Sequence, residues 1–315
     1  MNATAVVLEK PERLYLAELE LTDPGADDVV VDVEWSGIST GTERLLFDGR
    51  MPTFPGMGYP LVPGYESVGR VIAAGAASGL NVGERVFVPG ANCFGPVRGL
   101  FGGAASRLVV PGRRVTSVDD SLGEQAVLLA LAATAYHAVA CGGKAEHPAP
   151  PDLIVGHGVL GRLLARLTVA AGCTDTVVWE TDPVRALGAK GYTVLHPDQD
   201  PRRDYRVICD VSGDSALLNT LISRLAFGGE IVLAGFYSKA LQFDFAPAFM
   251  REARIRAAAE WQRPDLLAVK TLLSDGLLSL DGLITHHSSF EQADNAYRTA
   301  FGDVACLKMV LDWKH

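Results

Sequence analysis

The run Gly156-His157-Gly158-Val159-Leu160-Gly161 constrains this chain more than any other stretch, because of what flanks it. Before it lies the apolar segment Asp152-Leu153-Ile154-Val155, and after it Arg162-Leu163-Leu164-Ala165-Arg166-Leu167 mixes apolar and basic side chains as an amphipathic helix does. A strand, a glycine turn and a helix in that order need each glycine for its own reason. Gly156 permits the tight turn, Gly158 lets the backbone approach a pyrophosphate, and Gly161 lets helix pack on strand, while the helix N-terminus faces the phosphate charge. His157, Val159 and Leu160 complete the loop that would hold it. The next β-like run, Thr176-Val177-Val178-Trp179, ends at Glu180, about 20 residues beyond the loop, where an acid accepts hydrogen bonds from the adenosine ribose. A carboxylate there also repels a 2′-phosphate, so the expected cofactor is NAD rather than NADP. Arg185 follows closely and is either a second contact to that ribose or a phosphate, or a solvated helix-surface arginine. Two later strand exits, Asp210-Val211-Ser212-Gly213 and Leu233-Ala234-Gly235-Phe236, border the ligand crevice of an open parallel sheet. They make Ser212 and Gly235 candidate cofactor contacts; the alternative is ordinary strand-exit turns.

Around this loop the chain alternates strand and helix. Strand-like runs at 153–155, 176–179, 207–211 and 230–233 are separated by helical patterns such as 161–171 and 215–225, which predicts a Rossmann-type doubly wound parallel sheet in an α/β protein. Earlier residues read differently, with short β-like runs at 5–8, 29–35, 67–73, 85–89 and 106–110 set between glycine and proline turns, as in a β-rich barrel. Residues 284–311 offer a β-like start, a polar helix over 290–300 and a last strand at 308–311, and are expected to return to that first domain. The expected division is residues 1–125 with 265–315 as the β-rich domain and 126–264 as the dinucleotide-binding domain.

Bulk properties exclude several function classes. A formal charge of −9 and a pI near 5.3 disfavour a nucleic-acid partner, which needs a clustered basic face. The apolar stretch 126–141 is shorter than a bilayer span of about 20 residues and is interrupted by Thr134, Tyr136 and His137, so a buried helix is expected and stable membrane insertion is not. The start carries acids and a proline where a secretory signal has a basic head. Cys93, Cys141, Cys173, Cys209 and Cys306 form no CxxC pair, as befits free thiols in a reducing cytoplasm.

Ser36-Gly37-Ile38-Ser39, Pro63-Gly64-Tyr65-Glu66, Gly83-Glu84-Arg85-Val86 and the Gly156 loop together resemble the medium-chain dehydrogenase/reductase superfamily over the whole chain. More narrowly, Gly37-Ile38-Ser39-Thr40-Gly41-Thr42-Glu43-Arg44-Leu45-Leu46, Phe54-Pro55-Gly56-Met57-Gly58-Tyr59-Pro60-Leu61 and Val97-Arg98-Gly99-Leu100-Phe101-Gly102-Gly103 are similar to the bacteriochlorophyllide a dehydrogenase family. The resemblance implies a GroES-like barrel beside the Rossmann-type domain. It also implies oxidation of the 3-(1-hydroxyethyl) group of a bacteriochlorophyllide to 3-acetyl, with hydride passing to NAD. The partner is then a magnesium chlorin or bacteriochlorin that brings its own metal, and the enzyme is a homo-oligomer joined through its nucleotide domains.

Zinc enzymes of the superfamily hold a catalytic metal at positions that carry over to Ser39, Tyr65 and roughly Ala130, and only Cys93 stands where their four-cysteine lobe would be. Zinc prefers thiolate, imidazole and carboxylate, so no protein-bound zinc is expected. The alcohol proton must then leave without a Lewis acid, and Ser39, Thr42, Tyr65 and Glu66 are the catalytic candidates. Glu66 is alternatively a structural carboxylate paired with an arginine or capping a turn, and Ser39 and Thr42 can simply satisfy backbone groups. Thr134 matches a position near the nicotinamide in relatives. His137 reads as a satisfied buried histidine, and His286-His287 point to opposite faces of a strand, so neither receives a role. The stretches 51–59 and 94–101 either line a wide site for a flat macrocycle or fill a hydrophobic seam. Two other functions stay open: a zinc-free quinone or enoyl reductase using NADPH, and a non-catalytic NAD(H)-sensing protein.

Overall fold

The computed structural model describes residues 1–53, 55–140 and 150–314; Phe54 of the quoted motif and Cys141 lie outside them. Two units emerge, Met1–Ala130 with Asp281–His315, and Leu131–Leu280.

The first unit begins with β1 (Asn2–Lys10), β2 (Arg13–Glu20), β3 (Asp28–Ile38), the short helix α1 (Thr42–Phe47), β4 (Leu61–Val62) and β5 (Ser67–Ala74). It continues with β6 (Arg85–Val88), β7 (Arg98–Gly99), β8 (Arg107–Pro111) and β9 (Thr116–Ser117). Strand β3 organises the unit because its valines suit a buried pleated surface. Val29, Val30 and Val31 are wholly buried, and the strand pairs antiparallel with β5 on one side and β8 on the other.

The second unit follows with α2 (Leu129–Ala140), whose first two residues still count with the first unit, β10 (Leu153–Val155), α3 (Val159–Ala170), β11 (Val177–Trp179), β12 (Thr193–Leu195) and β13 (Tyr205–Asp210). Then come α4 (Leu218–Arg224), β14 (Leu225–Leu233), α5 (Phe245–Met250), β15 (Arg254–Ala257) and α6 (Arg263–Ser274). All six strands are parallel, in the order β12-β11-β10-β13-β14-β15. Counted from β10, this is the 3-2-1-4-5-6 order of a dinucleotide-binding sheet, whose direction of winding reverses between its first and fourth strands. That reversal falls between β10 and β13, so Gly156 and Ser212 leave adjacent strands at the place where such sheets bind ligands. Beyond the other edge, Phe227, Phe243, Phe245, Phe249, Met250 and Ile255 line a groove of about 440 Å³, and the first five of these are between 45 and 73% exposed.

The chain then returns to the first unit as β16 (His286–Ser289), α7 (Ala293–Gly302) and β17 (Met309–Asp312). β17 runs antiparallel along β3, from Met309 opposite Ile38 to Asp312 opposite Trp35, and completes the larger sheet, β16-β17-β3-β5-β6-β9 with β8 also on β3. The smaller sheet has the order β2-β1-β4-β7. His286 and His287 lie on β16 and take separate partners, Asp303 at 3.4 Å and Glu124 at 3.0 Å.

Two features differ from expectation. The units divide at 131 and 281 rather than at 126 and 265, because α6 is tied to α2: His137 Nδ1 lies 2.8 Å from Asp265 Oδ2, and Leu266 and Val269 are buried. The helical stretch starts before 126, at Asp120, and runs to Ala140; counted as one run, its 21 residues are long and apolar enough to cross a bilayer by length and composition alone. It is broken at Gly123 (φ 50°, ψ −133°), and Leu129, Ala130, Ala132, Ala133 and Ala135 are wholly buried within the protein.

Candidate functional site

Two groupings of the expected site residues form, one in each unit. In the second unit the three glycines meet three different demands. Gly156 has φ +104°, a left-handed conformation that favours glycine. A Cβ on Gly161 would stand 1.9 Å from the Gly156 carbonyl oxygen, so only glycine lets α3 close on β10. Gly158, the N-cap of α3, has nothing within 4 Å of where its Cβ would be. Helix geometry leaves the N–H groups of Val159, Leu160 and Gly161 without intrahelical acceptors; Arg162 N is the first to reach back, to Gly158 O at 2.9 Å. The loop therefore has open space and outward donors together, the arrangement a pyrophosphate requires.

Glu180 follows β11 and turns its carboxylate back to the loop. Oε2 accepts from His157 N at 3.1 Å, and Oε1 accepts from Thr181 N and Asp182 N at 2.8 and 2.9 Å. Oε2, with a single donor, retains acceptor capacity for a ribose hydroxyl. His157 is wholly buried. Its Nδ1 donates to the Arg185 carbonyl at 2.6 Å and its Nε2 accepts from Tyr192 Oη at 2.8 Å. Burial and the nearby Arg162 guanidinium push its pKa down to about 4. Arg162 donates to the carbonyls of His157, Arg185 and Leu187 at 2.8–3.0 Å, so the Arg185 backbone belongs to a knot joining the glycine loop to the segment after Glu180.

At the neighbouring strand exits, Asp210 Oδ1 accepts from Ser212 N and Oγ at 2.9 and 2.7 Å, and Asp210 O accepts from Gly235 N at 2.9 Å. Tyr237 donates to Asp210 Oδ2 at 2.8 Å. Burial raises the Asp210 pKa against these donors. Thr134 is half-buried on α2. Tyr192, Arg162 and Tyr237 were outside the expected set; each serves through a single side-chain group that leaves no trace in sequence periodicity.

In the first unit, the hydroxyls of Ser39, Thr42 and Tyr65 come together. Tyr65 Oη lies 2.6 Å from Ser39 Oγ and is also hydrogen-bonded by the Thr42 side chain. The Tyr65 ring stands edge-on to Phe101 at 5.4 Å between centroids, so part of the 94–101 stretch reaches this cluster, whereas Phe94 and Met51 are buried in the core. Burial, with the Glu66 charge adding to it, raises the Tyr65 pKa above the ordinary phenol value, which keeps the proton on its oxygen.

Glu66 sits beneath Gly37, whose N–H donates to Glu66 O at 2.8 Å. A Cβ on Gly37 would come within 2.3 Å of Glu66 Oε2, which explains the glycine. Lys308, just before β17, donates to Glu66 Oε2 and to Ile38 O, the latter at 3.1 Å. Both side chains are buried, at 1 and 0% exposure. Glu66 Oε1 is buried with no hydrogen-bond partner. Burial raises the Glu66 pKa, opposed by Lys308. The pairing partner is thus a lysine 242 positions away and not an arginine.

Glu43, inside the quoted 37–46 motif but given no role by sequence, is 1% exposed. Its Oε1 accepts from Ser39 N at 3.0 Å and its Oε2 from Tyr297 Oη at 2.8 Å. Burial lifts its pKa to about 7 against those two donors. Ser39 Oγ and Tyr65 Oη are hydrogen-bonded to each other, and the Ala130 side chain is a methyl group. Among the described residues no three His, Cys, Asp or Glu side chains gather as a metal would require.

The alcohol dehydrogenase GroES-like domain matches residues 25–120. A 2-desacetyl-2-hydroxyethyl bacteriochlorophyllide A dehydrogenase of Rhodobacter capsulatus is 56% identical over 315 residues, covering 100% of this chain and 99% of that protein. An alcohol dehydrogenase of Escherichia coli CFT073, solved with NADH, shares the fold with a TM-score of 0.82 at 22% identity, covering 99% of each chain. A zinc-binding dehydrogenase of Sinorhizobium meliloti 1021, solved with NADP, superposes with a TM-score of 0.80 at 20% identity over 99% of each chain. The fold is a GroES-like β domain with a Rossmann-type parallel sheet.

Proposed function

The chain belongs to the bacteriochlorophyllide a dehydrogenase family of the medium-chain dehydrogenase/reductase superfamily, and from that premise we propose that it oxidises the 3-(1-hydroxyethyl) group of a bacteriochlorophyllide to 3-acetyl, using NAD and no protein-bound zinc. The observation that carries the zinc-free chemistry is the 2.6 Å contact between Ser39 Oγ and Tyr65 Oη, because these residues stand where the superfamily's zinc enzymes carry metal ligands.

The residues fit a dinucleotide: Gly156, His157, Gly158, Val159, Leu160 and Gly161 would take the pyrophosphate and Glu180 the ribose, with Arg185, Ser212, Gly235 and Thr134 as further contacts. The acid at 180 favours NAD, since a 2′-phosphate would meet like charge. When bound, NAD supplies the acceptor for the hydride that leaves the carbinol carbon. Tyr65, held neutral by its raised pKa, orients the substrate hydroxyl together with Ser39 and Thr42. Glu66 is the proton acceptor: its Oε1 has no partner, and burial makes it a stronger base than an ordinary carboxylate. Magnesium stays with the substrate pigment. The acidic charge balance and unpaired cysteine spacing support a cytoplasmic enzyme with no nucleic-acid partner, and the exposed apolar residues beside β15 support a homo-oligomer.

Purified, metal-analysed protein incubated with NAD and 3-(1-hydroxyethyl) bacteriochlorophyllide a tests this. Expected are NADH formation and a red shift of the pigment band with zinc far below one per chain. Tight NADH binding without turnover overturns the pigment assignment and favours the reductase or the sensor.

A further inference from the structure

We infer that Glu43, locked by Tyr297, is the positioning residue that keeps the Ser39 hydroxyl on Tyr65; this rests on the alcohol-oxidation reading above. Four observations converge. Ser39 and Glu43 bond each other twice, through Ser39 N to Glu43 Oε1 at 3.0 Å and Glu43 N to Ser39 O at 3.1 Å. The turn carrying both Ser39 and Thr42 is thereby closed on a carboxylate rather than left to solvent. The second carboxylate oxygen is held by Tyr297 Oη of α7 at 2.8 Å, across 254 positions of sequence. Glu43 and Tyr297 are buried, at 1 and 2% exposure, so water does not substitute for either partner. Finally, α7 is itself packed on α1: Phe301 lies 5.7 Å from the Tyr297 ring and 5.4 Å from Phe47.

A carboxylate with both oxygens engaged has one geometry available to it, and it passes that geometry to the Ser39 backbone. Ser39 Oγ then has its direction fixed before any alcohol arrives, which is where positioning contributes to rate. Glu43 acts through Ser39 and is not placed against the substrate. Its neighbour Glu66 faces Lys308 instead, so the two buried carboxylates of this unit divide the labour.

The test compares E43A, E43Q and Y297F in the full-length protein by steady-state kinetics and by crystal structure. Glutamine keeps an oxygen for Ser39 N and presents its amide N–H to Tyr297 Oη. E43A is expected to lower kcat at least about tenfold with the KM for NAD within about twofold, since only transition-state alignment is lost. E43Q is expected to recover most of that loss. In the structures, Ser39 Oγ and Tyr65 Oη should part beyond about 3.5 Å in E43A and remain bonded in E43Q. Y297F, which deletes one oxygen and keeps the ring packing, should fall between the two and serves if E43A does not fold. E43A at full kcat with the contact intact, or E43Q as impaired as E43A, overturns the inference. If the parent protein does not oxidise the pigment, the functional reading fails, and the Ser39–Tyr65 separation in the variants still decides whether Glu43 positions Ser39.

Discussion

At the scale of single residues, the first unit buries charge in two ways. Glu66 is neutralised by Lys308, an arrangement whose Coulombic gain roughly offsets its desolvation and whose disruption is costly. Glu43 has no cationic partner in direct contact and is held by hydrogen bonds, with the result that its pKa rises to about 7. A raised acid pKa means that the folded state binds its proton more tightly than the unfolded state does. The stability it contributes is fully present below pH 4.5, the ordinary carboxylate value, and is lost as pH rises to about 7. Relative to E43Q, the parent protein should therefore lose up to about 3 kcal/mol between those limits. Urea unfolding of both proteins at pH 5 and pH 8 measures this; an unchanged difference would mean that Glu43 ionises freely. Little of this was legible beforehand. Ser39, Thr42, Tyr65 and Glu66 were marked by their local motifs, and the structure gathers the first three into one cluster. Lys308 and Tyr297 carry no local signal, because a lysine at the head of an apolar strand and a tyrosine in a polar helix have many uses. Only the tertiary fold brings them 242 and 254 positions back to their carboxylates.

At the scale of elements, the strand, glycine loop and helix around Gly156 were readable because Gly156 and Gly161 answer conformational and steric demands of the fold, while Gly158 leaves open space for a ligand. The same demands separate folding from binding. G161A should destabilise the second unit by about 1–3 kcal/mol, the cost of forcing a methyl into a filled space, because its Cβ would meet the Gly156 carbonyl. G158A has open space for its methyl and should fold with an unchanged melting temperature. It should nevertheless weaken NADH binding at least about tenfold, since the methyl occupies the approach of the pyrophosphate. Calorimetry alongside fluorescence titration of NADH separates the two, and equal effects of both variants on stability would contradict this assignment. The membership of α6 was not legible, since the histidine–aspartate bond to α2 that helps hold it joins residues 128 positions apart. Nor was the start of the helical stretch at Asp120, because Gly123, at φ 50° and ψ −133°, separates a short first helix from the one that carries the apolar residues.

At the scale of the whole molecule, the edge strand β15 and the apolar residues around it are the surface least suited to water. Phe245 and Phe249 are 73 and 65% exposed, and an unpaired strand edge beside such a patch favours association. Sedimentation velocity should show a species larger than one chain, and the double substitution F245E/F249E should shift it toward the monomer while leaving the fold intact. A monomeric parent protein at micromolar concentration would remove the homo-oligomer from the proposed function. The returning segment has a different consequence, one of time. Chains emerge from the ribosome at about 5–20 residues per second, so the 242 positions between Glu66 and Lys308 correspond to roughly 12–48 s of synthesis. For that interval β3 has no β17 beside it and both buried carboxylates await their partners. A nascent chain must keep Glu43 and Glu66 hydrated until residues 297–312 arrive, and the hydroxyl cluster is among the last parts of the protein to acquire its shape.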